Sequence, residues 1–209
     1  RPIQYTVESE AFLLPTPVRT GYIFLGWTGE GITEPQKTIE IPQGSTGDRT
    51  YTANWQVIEY TIITLLEGGN AGTSEVYFYT VEQTVTLPTQ TRTGYTFLGW
   101  TGEGITTPQT SVKIPKGSTG NKAYTANWQV IEYTITLDTN GGPVVSPIKY
   151  TVEDTFTLPY ILRPGYEFAG WTLDGSGMLP FTPLIIYPGT TGDLHYKAEW
   201  RVAPYTITY

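Results

Sequence analysis

Six tryptophans divide this sequence into three renderings of one text. Trp27, Trp100 and Trp171 lie 73 and 71 residues apart, and Trp55, Trp128 and Trp200 lie 73 and 72 apart. The first set ends the blocks Gly21-Tyr-Ile-Phe-Leu-Gly-Trp27, Gly94-Tyr-Thr-Phe-Leu-Gly-Trp100 and Gly165-Tyr-Glu-Phe-Ala-Gly-Trp171. The second set ends Tyr51-Thr-Ala-Asn-Trp55, Tyr124-Thr-Ala-Asn-Trp128 and Tyr196-Lys-Ala-Glu-Trp200. A Leu-Pro pair precedes each block at fixed distance: Leu14-Pro15, Leu87-Pro88 and Leu158-Pro159. A fixed period of this length is the mark of a tandem array. Copies one and two share unbroken text from Ala53 to Ile62 and from Ala126 to Ile135. The third copy has drifted further, and what it still shares is the better guide to what the module needs physically.

Each copy reads as short strands. Tyr133-Thr-Ile135-Thr-Leu137 alternates apolar and polar residues, the pattern of a half-buried strand. Asp138-Thr-Asn140-Gly-Gly142 supplies turn chemistry. Ile148 to Glu153 alternates again, Phe156-Thr-Leu158 runs into Pro159, and the Gly165 block gives a further strand. The Gly-Trp step inside that block predicts a bulge or a close backbone approach. In the last strand Tyr196, Ala198 and Trp200 fall on one face. The expectation is mainly β structure, about four strands per module around an aromatic core. The modules are expected at residues 1–56 (lacking its first strand), 57–129 and 130–201, with 202–209 the first strand of a further repeat. The linkers Gln56-Val-Ile-Glu59 and Gln129-Val-Ile-Glu132 are short and β-prone, so neighbours are expected to keep a restricted orientation in an elongated array of about 80–90 Å.

Composition removes several function classes. The chain has 209 residues, no cysteine and one histidine, so disulfides, thiolate zinc sites and most histidine chemistry are excluded. A formal net charge of −7 offers no basic stripe, which speaks against a nucleic-acid partner. No apolar run is long enough for a membrane-spanning helix, and no membrane insertion is expected. The start at Arg1-Pro2-Ile3 reads as mid-structure, as in a stretch cut from a longer protein whose signal and anchor lie elsewhere.

Candidate site residues are few, and each has a structural reading that outweighs the chemical one. His195 has Thr50 and Ala123 as counterparts and reads as a surface residue. Asp138-Thr-Asn140 resembles part of a calcium loop but lacks its spacing and closing glutamate, so a hairpin turn is favoured. The second copy has Leu66-Glu-Gly-Gly-Asn70 at this place. Glu8, Glu30, Glu103, Glu153, Asp154 and Asp174 form no acid/base pair of the glycosidase kind. Glu30 and Glu103 recur in a Gly-Glu-Gly loop that the third copy replaces with Leu173-Asp-Gly-Ser-Gly177. The serines have no histidine partner nearby in the sequence, and the glycine-rich stretches lack the lysine of a phosphate loop. Arg19, Arg92 and Arg163 hold one position two residues before each Gly-Tyr, which suggests an ion pair or stacking contact. Tyr77, Phe78, Tyr160 and Tyr187 lie off the shared pattern and are the best candidates for an exposed aromatic platform. No catalytic, cofactor-binding or metal-binding residue is assigned, no cofactor is expected, and the chain is read as non-enzymatic.

The frame of the repeat is offset. Tyr5-Thr-Val-Glu8 matches the second strands at Tyr79 and Tyr150, and Pro204-Tyr-Thr-Ile-Thr-Tyr209 repeats a first strand. A missing edge at one place and a spare strand at another invite head-to-tail strand addition between chains.

The pattern Tyr-x-Ile-Thr-Leu, Asn-Gly-Gly, Leu-Pro, Arg-x-Gly-Tyr-x-Phe-x-Gly-Trp and Tyr-x-Ala-x-Trp resembles the Listeria–Bacteroides repeat, once per copy and over essentially the whole chain. The resemblance implies an α+β, β-grasp-like module and a place in secreted or wall-attached bacterial proteins. There such modules stand in tandem as stalks and sometimes contribute to host contact. Copies one and two follow the tryptophan with Thr-Gly-Glu-Gly-Ile where relatives more often carry a Tyr- or Asp-containing loop, so loop-based binding does not carry over. Three roles follow as expectations: a spacer projecting a functional domain from the bacterial surface, an adhesive module for a host surface protein or glycan, or an accessory module of a larger secreted enzyme.

Overall fold

The computed structural model describes residues 2–68, 72–174 and 176–209. The expected turn at Leu66–Asn70 and the loop at Leu173–Gly177 therefore lie partly outside the described residues. Eighteen strand elements and no helix occur among those described. The first copy holds β1 (Phe12–Leu13), β2 (Tyr22–Gly29), β3 (Ile32–Gln36), β4 (Glu40–Ile41) and β5 (Thr52–Val57). The second holds β6 (Tyr60–Leu65), β7 (Ser74–Tyr79), β8 (Val85–Thr86), β9 (Tyr95–Gly102), β10 (Ile105–Gln109), β11 (Lys113–Ile114) and β12 (Lys122–Val130). The third holds β13 (Tyr133–Asp138), β14 (Ile148–Tyr150), β15 (Phe156–Thr157), β16 (Tyr166–Leu173), β17 (Ile185–Ile186) and β18 (Leu194–Val202).

The third copy forms a four-stranded sheet in the order β14-β13-β18-β16 and a separate two-stranded ladder, β15-β17. The second repeats this plan as β10-β9-β12-β6-β7 with β11-β8. In both, the first strand runs parallel to the last: β13 beside β18 and β6 beside β12. The first copy has only β3-β2-β5 with β1-β4. Its sheet stops where the parallel strand stands in the others.

The chain divides into two compact units. One comprises residues 1–65, 74–88 and 100–125, the other 66–73, 89–99 and 126–209.

The mainly β expectation holds, but the α+β, β-grasp-like detail does not. A parallel strand pair needs a long crossover, and a grasp fold places a helix there. Here the connection from β14 to β16 carries a turn, the two-residue β15, Pro159 and Pro164. Prolines at that spacing deny a helix its amide donors. The strand β15 falls within the expected Phe156-Thr-Leu158 segment, whereas its two-residue partner β17 was not legible, because two residues are too few to display an alternation.

The core of the third copy is aromatic, as expected. Ile135, Tyr150, Phe168, Trp171, Tyr196 and Ala198 are buried together. Phe168 meets Trp171 and Trp200 edge-on, at ring separations of 5.4 and 5.3 Å. Such pairs add about 0.5–1.5 kcal/mol to their area burial. Trp171 Nε1 donates to the Pro159 carbonyl at 2.8 Å, and Trp100 Nε1 to Pro88 at 3.0 Å. The Leu-Pro pair thus supplies the acceptor that lets each indole be buried whole. Trp27 departs from this: it is only half-buried, and its enclosed Nε1 has no partner.

The bulge expected at the Gly-Trp step is present. The β16–β18 register slips between Phe168 and Gly170, as the β2–β5 register slips between Phe24 and Gly26. Gly170 has φ 130°, and a Cβ there would sit 2.5 Å from the Phe181 carbonyl oxygen. Only glycine allows that approach.

Candidate functional site: the seam between copies

The recurring geometry that no single copy needs for its own core lies where one copy meets the next. Each Gly-Tyr pair opening the conserved block turns a corner, with Gly21 at φ 77° and Gly94 at φ 78°. The corner carbonyl accepts the linker amide: Ile58 N–H donates to Gly21 at 2.9 Å and Ile131 N–H to Gly94 at 2.9 Å. The linker is therefore fastened to the sheet it leaves, which accounts for its lack of Gly, Ser and Pro.

The following copy packs a turn against this corner. The turn is Thr80-Val81-Glu82-Gln83 after β7 and Thr151-Val152-Glu153-Asp154 after β14. It is closed locally, because Gln83 and Asp154 side chains accept from the Thr80 and Thr151 amides at 2.9 and 2.6 Å. Val81 then sits over Gly21 and Val152 over Gly94. A Cβ on Gly21 would lie 2.1 Å from Val81 Cγ1, and one on Gly94 2.0 Å from Val152 Cγ1. Both valines are buried, at 7% and 8% exposure. The tyrosine of the corner reaches the turn's carboxylate: Tyr22 Oη donates to Glu82 Oε1 at 2.5 Å, and Tyr95 Oη to Glu153 Oε1. That hydrogen bond to a carboxylate raises both phenol pKa values above the ordinary one.

The arginines complete the corner by stacking, one of the two contacts their position suggested. Arg19, Arg92 and Arg163 place their guanidinium carbons 3.6, 3.6 and 3.9 Å from the ring centroids of Tyr22, Tyr95 and Tyr166. Arg92 and Arg163 also donate to the Glu67 and Asn140 carbonyls at 2.9 and 3.0 Å. The guanidinium is thus shared between a turn of its own copy and the seam tyrosine. Such planar stacking is worth about 0.5–1 kcal/mol at an exposed site.

The remaining candidates fall into structural places. His195 is exposed on β18 opposite Thr136. Its surface depression of about 250 Å³ is lined by Thr136, Asp138, Asp174, Tyr196 and Lys197. Asp138 accepts from the Asn140 amide at 2.9 Å, and Asn140 and Gly141 take φ 47° and 83°, so this segment is a hairpin turn. Glu30 accepts from the Thr50 amide at 3.1 Å, while Glu103 lies 3.8 Å from Lys122. Phe78, Tyr160 and Tyr187 are exposed as expected. Tyr77 is half-buried instead: it donates to Glu75, and burial together with that bond pushes its phenol up to about 12. Among the described residues no group of three or more acidic or histidine side chains is placed to hold a metal, and no helix is long and apolar enough to cross a membrane.

The seam itself was not foreseen. Its signal was in the text: the Val-Glu pair recurs at Val7-Glu8, Val81-Glu82 and Val152-Glu153 in step with Gly21-Tyr22, Gly94-Tyr95 and Gly165-Tyr166.

Comparison with known proteins agrees with the repeat. Residues 2–55 and 133–187 match the model of the Listeria-Bacteroides repeat domain, and residues 62–132 match that of the divergent InlB B-repeat domain. Two relatives come from Evansella cellulosilytica. One, provisionally named a membrane protein, is 28% identical over 199 residues, which is 93% of this chain and 29% of the relative. The other, provisionally named a Gly-rich membrane protein, is 25% identical over 194 residues, covering 92% of this chain and 22% of the relative. The chain thus spans less than a third of the length of these relatives.

Proposed function

We propose, from the premise that this chain belongs to the Listeria-Bacteroides repeat family, that it is a non-catalytic spacer on the outside of a bacterial cell. Repeats of this family are typical of bacterial surface proteins. In this reading the modules 1–56, 57–129 and 130–201 hold a functional domain away from the surface.

The observation that carries the reading is the seam. A flexible tether needs no contact between copies, whereas here the linker amide, a Gly–Val contact and a Tyr–Glu hydrogen bond recur at both junctions. Three contacts at one small junction restrict it far more than a four-residue linker would alone. Small-angle scattering tests the spacer role. An elongated particle of about 80–90 Å is expected, and a globular one of the same mass would overturn it.

An adhesive role is the second reading, and one surface favours it. On the outer face of the β6–β7 hairpin, Ile63, Val76 and Phe78 are 40%, 53% and 59% exposed, with Ile63 directly opposite Val76. Contiguous apolar surface on a strand pair is a common contact face. Saturable binding to host glycans or surface proteins, lost in Phe78→Ser with the melting temperature unchanged, would put this role ahead.

A further inference from the structure

The second and third copies end their sheets on equivalent strands, β7 and β14, and treat the two edges in opposite ways. β7 ends the order β10-β9-β12-β6-β7 and β14 ends the order β14-β13-β18-β16, so each has one sheet neighbour among the described residues. An open edge is a template for a further strand, and short length, proline and lysine are common means of blunting it. β14 has all of these: it is three residues long, Pro147 stands just before it, and it contains Lys149. β7 has none: its six residues, Ser-Glu-Val-Tyr-Phe-Tyr, all pair with β6. Tyr79 lies opposite Tyr60 as Tyr150 lies opposite Tyr133, which aligns the two edges residue by residue. Val76 therefore stands where the third copy has Pro147, and Phe78 where it has Lys149. The first copy, counted back from Tyr5, likewise has Pro2 and Gln4. The third copy folds without an amide donor at the first place or an apolar side chain at the second. The second copy has both, and both side chains are exposed.

The backbone of β7 is turned to use that edge. The Thr61 amide points away from β7, donating to Asn121 Oδ1 at 3.0 Å, while the Leu66 amide points toward it, donating to the Thr73 carbonyl at 2.9 Å. Alternation along the strand then directs Tyr60, Ile62 and Thr64 at β7, and their opposites Tyr79, Tyr77 and Glu75 at β6. The amides and carbonyls of Ser74, Val76 and Phe78 are left pointing off the sheet.

We propose that β7 of one chain pairs antiparallel with β7 of a second copy of the chain, about a two-fold axis at Val76, joining two five-stranded sheets into one. Val76 lies opposite Val76, and Ser74 opposite Phe78. Each such pair exchanges two main-chain hydrogen bonds, about six in all. On the other face Glu75 lies opposite Tyr77 of the second chain, the residue that donates to it within one chain. Neighbouring registers are poorer. A one-residue slip sets exposed side chains against buried ones. A two-residue slip one way sets Glu75 against Glu75, and like charges directly opposed are unfavourable. The other way brings in Thr80, whose amide is already held by Gln83 at 2.9 Å. The strand is thus complementary to itself in a single register, which selects a second copy as the occupant. The contact is isologous and closes at two chains. It lies beyond the spacer reading and does not depend on it.

Sedimentation of the 209-residue chain over a range of concentrations tests this. The mass is expected to rise from that of one chain to that of two. Val76→Pro and Phe78→Lys, which copy residues the third copy carries at these places, should keep the parent's melting temperature. Val76→Pro removes two of the main-chain bonds, so dimerisation should weaken by about thirtyfold or more. In Val76→Cys, oxidation should link two chains, because opposed residues of a hydrogen-bonded pair lie about 5.5 Å apart. The parent has no cysteine to compete. In Phe78→Cys the two thiols lie about 14 Å apart along the strands and should not link. A mass of one chain at every concentration, dimers unaltered by both Val76→Pro and Phe78→Lys, or linkage through Cys at 78 and not at 76 would overturn the proposal. Single chains whose binding to a host glycan or surface protein is lost in Phe78→Lys would also overturn it and give the surface to the adhesive role.

Discussion

Gly94 and Val152 approach so closely that a single added methyl group would sit 2.0 Å from the valine's Cγ1. Gly165 has the same backbone conformation, φ 80° against 78°, with nothing within 4 Å. This pair separates backbone strain from the seam. Gly165→Ala is expected to cost about 1–2 kcal/mol through φ alone. Gly94→Ala adds the clash and should cost about 1–3 kcal/mol more. Chemical denaturation of the two variants measures the difference. Equal costs would show that the seam contributes nothing.

The tryptophans are not equivalent, contrary to the uniform cost their shared text suggests. Trp171 is buried with its indole bonded to Pro159, while Trp27 is half-buried with none. Trp171→Ala should destabilise by about 3–5 kcal/mol, and Trp27→Ala by clearly less. Thermal melts of both variants decide this, and a larger loss for Trp27→Ala would contradict it.

Alkaline titration reads the seam directly. Tyr95 is raised first by its bond to Glu153 and next by burial, and Tyr22 likewise by Glu82. A phenol raised on folding stabilises the fold below its unfolded pKa of about 10, and that contribution is lost as pH climbs through the raised value. Stability should therefore fall above about pH 10. Glu153→Gln removes the charged acceptor, so Tyr95 should ionise at lower pH, while Tyr77, held up to about 12, should not move. Phenolate absorbance followed against pH distinguishes them.

The arginine corner gives a fourth outcome. Arg163→Lys keeps the charge but loses the planar face over Tyr166 and the donor geometry toward Asn140. A loss of about 1 kcal/mol is expected by denaturant unfolding, and the same loss at low and high salt, because stacking is little screened.

The repeat, the β class, the aromatic core and the bulge were all legible, because each rests on spacing or on residue chemistry within a single copy. The last strand is the clearest case: Tyr196, Ala198 and Trp200 alternate, and the first two are buried at 9% and 0%. Part of what was not legible depended on contacts between copies. Val152 reads as an ordinary strand residue until Gly94 is placed beneath it. Tyr77 reads as exposed until Glu75, two residues away on the same strand face, is seen to take its hydroxyl. The helix expected from family resemblance failed for a local reason, the prolines of the β14–β16 connection. That the enclosed Trp27 Nε1 has no partner was not legible either, since Trp27 shares its flanking text with Trp100 and Trp171.

Because every junction pairs a corner from one copy with a turn from the next, the two halves of the seam always travel in the same unit of text. Any whole-repeat duplication or deletion, wherever it is cut, rebuilds a junction of the kind already present. The array can therefore change in length without a new interface having to arise, while a change in one corner disturbs one junction and leaves the others as they were.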